Sequence, residues 1–257
     1  MAAEPPVLFN NWWVYLRDMV GGTYGTSWVG ASDPSDYQIH NAYRMREELQ
    51  IQGYDEKAIA GVIGNAMVES GISPGAIQKW SALPNHGERL QDVPNSYMLQ
   101  YYTPTAGGQG YGLGLLQWDR YSATYLTNDL LGWCNAYGYT WYDGHGQLAR
   151  LAFEFNTDAL YHFWRMNYGS MTWADYKNIE TYDPSWDAGE CANCWASCWE
   201  LSSLDPTGRQ HRRDNANWFY QYFIDHPVEP TQHNITWLLF KYKKERSGFN
   251  VRKRIRI

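Results

Sequence analysis

The sequence predicts a mainly α (α+β) protein: one large helical domain with a small β element, an irregular N-terminal arm and a short, basic, β-like C-terminal tail. Three observations carry this. Apolar patterns of helical period recur between residues 41 and 224. They are interrupted by a loop-rich stretch, residues 73–112, that holds Pro74, Pro84, Pro94 and Pro104 and leads into a glycine-rich turn. From Pro227 the composition shifts to basic, strand-like segments. The expected boundaries are 1–40 for the arm, 41–226 for the helical domain and 227–257 for the tail.

The elements follow in order. Residues 1–40 are rich in Gly, Ser, Asp and Trp and lack sustained periodicity, although 11–20 fits a short helix. Helices are expected over 41–52, 55–70, 122–137, 145–155, 173–178, 187–201 and 208–224. Residues 113–118 suit a short strand. Residues 235–243 and 249–257 suit two strands around Ser247-Gly248, a hairpin pattern.

The second of these helices is the most informative. Asp55 can cap its start and Glu56 adds a favourable charge in its first turn. Ile59, Val62, Ile63, Ala66 and Met67 recur at three- and four-residue steps and line one face. Glu69 extends that stripe. Gly71 suits a C-terminal cap and Pro74 prevents continuation. Glu69 thus falls in the last turn, where the helix end is negative. That end and partial burial both work against a charged carboxylate. A Glu that keeps its proton is what general-acid cleavage of a glycosidic bond requires.

Composition sets bounds. A chain of 257 residues suffices for one large domain with appendages. Its 14 Trp and 21 Tyr can pack cores, and flat rings can also stack on sugar rings. No run reaches the ~18 apolar residues that a membrane helix needs. Met1 to Pro6 has neither the basic nor the apolar region of a secretory signal. Residues 241–257 carry eight Lys/Arg against Glu245, a net +7, which leaves the remaining chain at −13 within a total of −6. A basic tail on an acidic body suits docking to an acidic partner or polymer, or simple solvation. It also suits phosphate contacts, but no DNA-recognition motif accompanies it, so nucleic acid is not an expected partner.

Cys191, Cys194 and Cys198 form C-x2-C-x3-C, and Cys134 is distant. The spacing is open to half a zinc site, a disulfide with Cys134, or core thiols on one helix face. No second C-x2-C or H-x3-H follows, so core thiols are favoured and no metal is expected. No H-E-x-x-H is present, which disfavours a metal-dependent peptidase.

Several ordered motifs resemble the phage tail lysozyme family of the lysozyme-like superfamily. Gly61-Val62-Ile63-Gly64-Asn65 through Glu69-Ser70-Gly71-Ile72-Ser73-Pro74-Gly75-Ala76 resembles its catalytic helix. Tyr111-Gly112-Leu113-Gly114-Leu115-Leu116-Gln117-Trp118, with Arg120, resembles its glycine-rich turn. His145-Gly146-Gln147-Leu148-Ala149-Arg150-Leu151 with Phe153-Glu154, and Trp173-Ala174-Asp175-Tyr176-Lys177, resemble the next two blocks. Cys194 to Glu200, then Arg212 or Arg213, Ala216 and Trp218-Phe219-Tyr220, fit the last helices. The likeness spans about residues 41–226.

The resemblance implies a lysozyme-like helical fold with a β element at the cleft. It implies virion-associated cleavage of the β-1,4 glycan bond of bacterial peptidoglycan, without a cofactor, at the phage tail among other virion tail proteins. Glu69 matches the catalytic acid and Gln117 the groove-lining position. Tyr111 and Trp118 are candidate sugar platforms. Gly112, Ser70 and Asn65 are expected to line the substrate groove with them, and Asn65, one turn before Glu69, is also placed to hydrogen-bond it. For a second carboxylate the candidates are Asp119 and Glu88, with Asp92 behind them. Without one, a single Glu can serve as acid and then base while the sugar's 6-hydroxyl attacks, the lytic transglycosylase outcome. The alternative class is a structural tail protein that keeps this fold and binds glycan or a neighbouring subunit without cutting.

Overall fold

The structure, a computed structural model of the chain, describes Trp13 and residues 34–77, 93–101, 112–119, 130–157, 171–199 and 206–227. The described residues are mostly helical. In chain order the elements are α1 (Asp36–Ile51), α2 (Glu56–Ser70), α3 (Asn95–Tyr101), β1 (Gly112–Leu113), β2 (Trp118–Asp119), α4 (Leu130–Tyr137), α5 (Gly144–Thr157), α6 (Trp173–Lys177), α7 (Ile179–Tyr182), α8 (Ala188–Cys198) and α9 (Pro206–Asp225). Residues 6–222 form one compact unit. Residues 1–5 and 223–257 form another, of which only 223–227, the end of α9 and the two residues after it, are described.

α2 is the centre of the larger unit. Asp55 accepts a hydrogen bond from the Ala58 amide at 2.9 Å, as the cap pattern predicts. Its other oxygen accepts from the Glu180 amide at 2.7 Å, so one carboxylate starts both α2 and α7. Beyond this cap α2 is buried on all sides rather than along one stripe. Ile59, Val62, Ile63, Ala66 and Met67 are buried as expected, and so are Ala58, Gly61, Gly64 and Asn65 on the remaining surface. Small residues there let two more helices close in. A Cβ on Gly61 would lie 2.7 Å from Cys191 Cβ in α8. A Cβ on Gly64 would lie 2.7 Å from the Arg212 carbonyl and 2.8 Å from Ala216 in α9. The Tyr176 hydroxyl lies across the first crossing, 3.3 Å from the Ala58 carbonyl and 3.2 Å from that of Cys191.

Several boundaries differ from the sequence expectation. α1 starts at Asp36, inside the predicted arm, because Ser35 and Gln38 form a reciprocal cap there. Trp13, also in the arm, is buried against Gly144 at the start of α5. The loop-rich stretch contains α3, which begins directly after Pro94; a proline at a helix start removes no needed donor. The single strand expected over 113–118 is instead a hairpin of two two-residue strands, Gly112 opposite Asp119 and Leu113 opposite Trp118. α7 follows α6 after one residue, where no helix is expected. Of the helix expected over 122–137, only the part from Leu130 is described. The helix expected over 11–20 and the C-terminal hairpin lie outside the described residues.

All four cysteines are buried free thiols. Cys194 Sγ lies 4.0 Å from Cys198 Sγ and from Met171 Sδ. Burial pushes the Cys191 thiol up, and contact with Cys198 followed by burial pushes Cys194 up. Both stay protonated and behave as small hydrophobes. No group of three or more metal-ligating side chains occurs among the described residues. No described helix is long and apolar enough to cross a membrane.

Candidate active site at the end of the central helix

The C-terminus of α2 sets the site. Gly71 takes a left-handed conformation, φ 62°, and its amide donates to the Met67 carbonyl at 3.1 Å. That bond, with a left-handed glycine, is an αL cap, and the Ile72 amide reaches further back to Ala66 at 3.2 Å. Ile72 is itself left-handed, φ 58°, a conformation that costs a β-branched residue about 1–2 kcal/mol. The surroundings hold it there. Ile72 is fully buried, and Asn41 from α1 donates to its carbonyl at 2.8 Å. The only other non-glycine at positive φ among the described residues is Gln117, φ 50°, in the hairpin turn. Strained backbone therefore sits both just after α2 and in the turn that meets its end.

The turn and the helix end are joined by short bonds. The Ser70 hydroxyl lies 2.7 Å from the Leu115 carbonyl and 3.0 Å from that of Ala66. The Gly114 amide donates to Ala76 at 2.8 Å, and Leu113 bridges Ile77. Gln147 of α5 is the keystone. Its amide nitrogen donates to Pro74 at 2.8 Å and Trp141 at 2.6 Å, and its oxygen accepts from the Leu115 amide at 2.8 Å. Gly114, φ 73°, leaves the room: a Cβ there would come within 2.4 Å of the Gln147 amide. Among the residues chosen from sequence, Gln147 has no role beyond its motif. A fully buried amide bonded to three chain segments is its actual signature.

Glu69 stands where these elements meet. Its side chain is 26% exposed, and it forms an ion pair with Arg212 of α9, whose own side chain is 5% exposed. The guanidinium bonds Oε1 of the carboxylate. The helix end and burial were the influences legible around Glu69; the cation is the one that sequence spacing does not show. The family resemblance leaves Arg212 and Arg213 both open, and the structure separates them. Arg213 is half-exposed, 3.7 Å from Asp187. Arg212 lies on the buried stripe that continues through Ala216 and Phe219. An arginine inside an apolar stripe at four- and three-residue steps is the signal that picks it out.

The other candidates are placed differently from one another. Asn65 is fully buried, and its amide donates at 2.9 Å to Gly61 and to Ala192 of α8, which uses both hydrogens there rather than on Glu69. Ser70 is buried and engaged as described. Gln117 folds back over Gly112 and donates to the Gly114 carbonyl at 2.9 Å, so its amide shapes the hairpin. Trp118 is buried rather than a platform. Its indole donates to Glu154 at 3.1 Å and its ring meets Trp199 edge-on at 5.7 Å. Glu154, buried, also accepts from Trp199 at 3.3 Å and pairs with Arg150 at 3.1 Å. That buried network anchors β2 to α5 and to Trp199 just after α8. The backbone of Asp119 lies in β2; its side chain, and all of Tyr111, Glu88 and Asp92, lie outside what is described.

The arrangement presents one partly exposed carboxylate on a rigid helix end, with a braced glycine-rich hairpin beside it. Over residues 40–223 the sequence matches the phage tail lysozyme family, a family of tail-associated lysozyme-like proteins. The match takes in all of α2 to α8 and both partners of the Glu69–Arg212 pair. The chain belongs to the phage tail lysozyme family.

Proposed function

We propose that this protein is a virion-associated enzyme that cuts the β-1,4 bond between N-acetylmuramic acid and N-acetylglucosamine, with Glu69 as general acid. Its role is to open the peptidoglycan locally during infection. The observation that carries the reading is the position of Glu69. Within a region that matches the family throughout, it is a carboxylate left partly open at the junction of helix end and hairpin. Its proton goes to the glycosidic oxygen as the C1–O bond breaks, so the leaving sugar departs as an alcohol. The carboxylate then takes a proton from the group that attacks C1. Attack by water gives a reducing end; attack by the sugar's own 6-hydroxyl gives a 1,6-anhydro end. Asp119 and Glu88 stay the candidates for a second carboxylate. Peptidoglycan and neighbouring tail proteins are the partners, with the arm and the basic tail as docking segments.

The test is a zymogram with Glu69→Gln, a near-isosteric change that removes the donor. Clearing should be lost; undiminished clearing removes Glu69 from the chemistry. A second reading is a tail protein that binds glycan without cutting. It draws on the internal engagement of Asn65, Ser70, Gln117 and Trp118, which serve the fold with or without catalysis. Wild-type protein that sediments with peptidoglycan and releases no soluble fragment favours it.

A further inference from the structure

Arg212 has a built environment. It reaches Glu69 because Gly64, five residues earlier in α2, lets the α9 backbone approach to a distance that any side chain would forbid. Its Nη1 donates to the Gly208 carbonyl one turn back at 3.3 Å, and its Nη2 bonds Oε1 of Glu69. Oε2 of Glu69 has no partner among the described residues, and the exposed quarter of the side chain leaves it a route to solvent.

We propose that Arg212 is the positioning residue of this site: it fixes Oε1 of Glu69 and leaves Oε2 as the oxygen that exchanges the proton. The inference rests on Glu69 being the acid. A planar guanidinium anchored at one end and bonded at the other restricts rotation of the carboxylate, which a flexible ammonium does less well. Arg212 touches no substrate in this scheme. It acts through Glu69, and its loss should appear in turnover rather than in substrate binding.

The experiment compares wild type, Arg212→Gln, Arg212→Lys and Glu69→Gln. Initial rates are measured on solubilised glycan strands over a range of concentrations, and sedimentation with intact peptidoglycan reports binding. Arg212→Gln should lower kcat by about 100-fold, the scale of a misplaced catalytic group, with KM and sedimentation within about twofold. Arg212→Lys should recover part of kcat. Equal losses in kcat and in sedimentation, or no gain from lysine over glutamine, would overturn the positioning role. A thermal cycle covers the case in which Arg212→Gln does not fold. Glu69→Gln removes the carboxylate charge from this buried pair, so Tm should fall, and adding Arg212→Met should restore part of it. Strictly additive Tm changes contradict the coupling. Inactive Glu69→Gln beside fully active Arg212→Gln removes only the role of Arg212; fully active Glu69→Gln removes the acid and the positioning role together.

Discussion

Replacing Gly64 by alanine separates tertiary packing from helix propensity, because the two predict opposite signs. In the interior of a helix, Gly→Ala should stabilise by about 1 kcal/mol. At this crossing the new methyl would lie 2.7 Å from the Arg212 carbonyl and 2.8 Å from both Cβ and backbone nitrogen of Ala216. Two of these three neighbours are backbone atoms, so no rotamer change relieves them. Ordinary contact begins at 3.4 Å, so α9 must retreat by about 0.7 Å. Overpacking of this kind costs about 1–3 kcal/mol, which offsets or exceeds the propensity gain. The retreat also moves Arg212 away from Glu69, and a displacement near 1 Å at a reacting group can cost about 100-fold. The expected outcome is a protein of equal or lower Tm, by calorimetry, with lysis of cell-wall suspensions reduced by one to two orders of magnitude (about 10–100-fold). A more stable protein with unchanged lysis would refute the claim that Gly64 sets the reach of Arg212.

Two other perturbations probe the frame around the site. Gln147→Leu keeps the volume but removes bonds to Pro74, Trp141 and Leu115, and should cost about 3 kcal/mol in urea unfolding; a loss below about 1 kcal/mol would mean that the hairpin does not depend on it. Alkaline pH should destabilise the fold. Burial, followed by the neighbouring Tyr222, pushes Tyr43 up to about 12, and burial holds Tyr54 and Tyr176 well above the usual phenol range. Their contribution is whole below the unfolded value near 10 and is lost as pH rises through the folded values. For Tyr43 alone this is about 2 kcal/mol between pH 10 and 12, read from urea midpoints, and flat midpoints across that window contradict it.

What could be read from the sequence was local. Asp55 and Gly71 cap α2 as expected because a cap needs only neighbouring residues. Glu69 stood out for the same reason, being the acid in the last turn of an apolar helix, two residues before its capping glycine. Ile72 could not be foreseen at positive φ, since Asn41, thirty-one residues away, holds it there. Gln147 and Arg212 owe their contacts to segments that meet only in three dimensions. The groove roles expected of Asn65 and Trp118 show the converse. A polar or aromatic residue inside a motif can be present to hold two helices or a hairpin together, and spacing alone does not tell that from contact with a sugar. The prolines hid α3, because Pro94 starts a helix where a breaker was expected.

Mass spectrometry of muropeptides released by wild type and by Glu69→Gln tests the central claim most directly. Wild type should release glycan fragments, whether with reducing or with 1,6-anhydro ends, and Glu69→Gln should release none above background. Free peptides with intact glycan strands would contradict the bond assignment, and equal glycan release by the variant would contradict the role of Glu69.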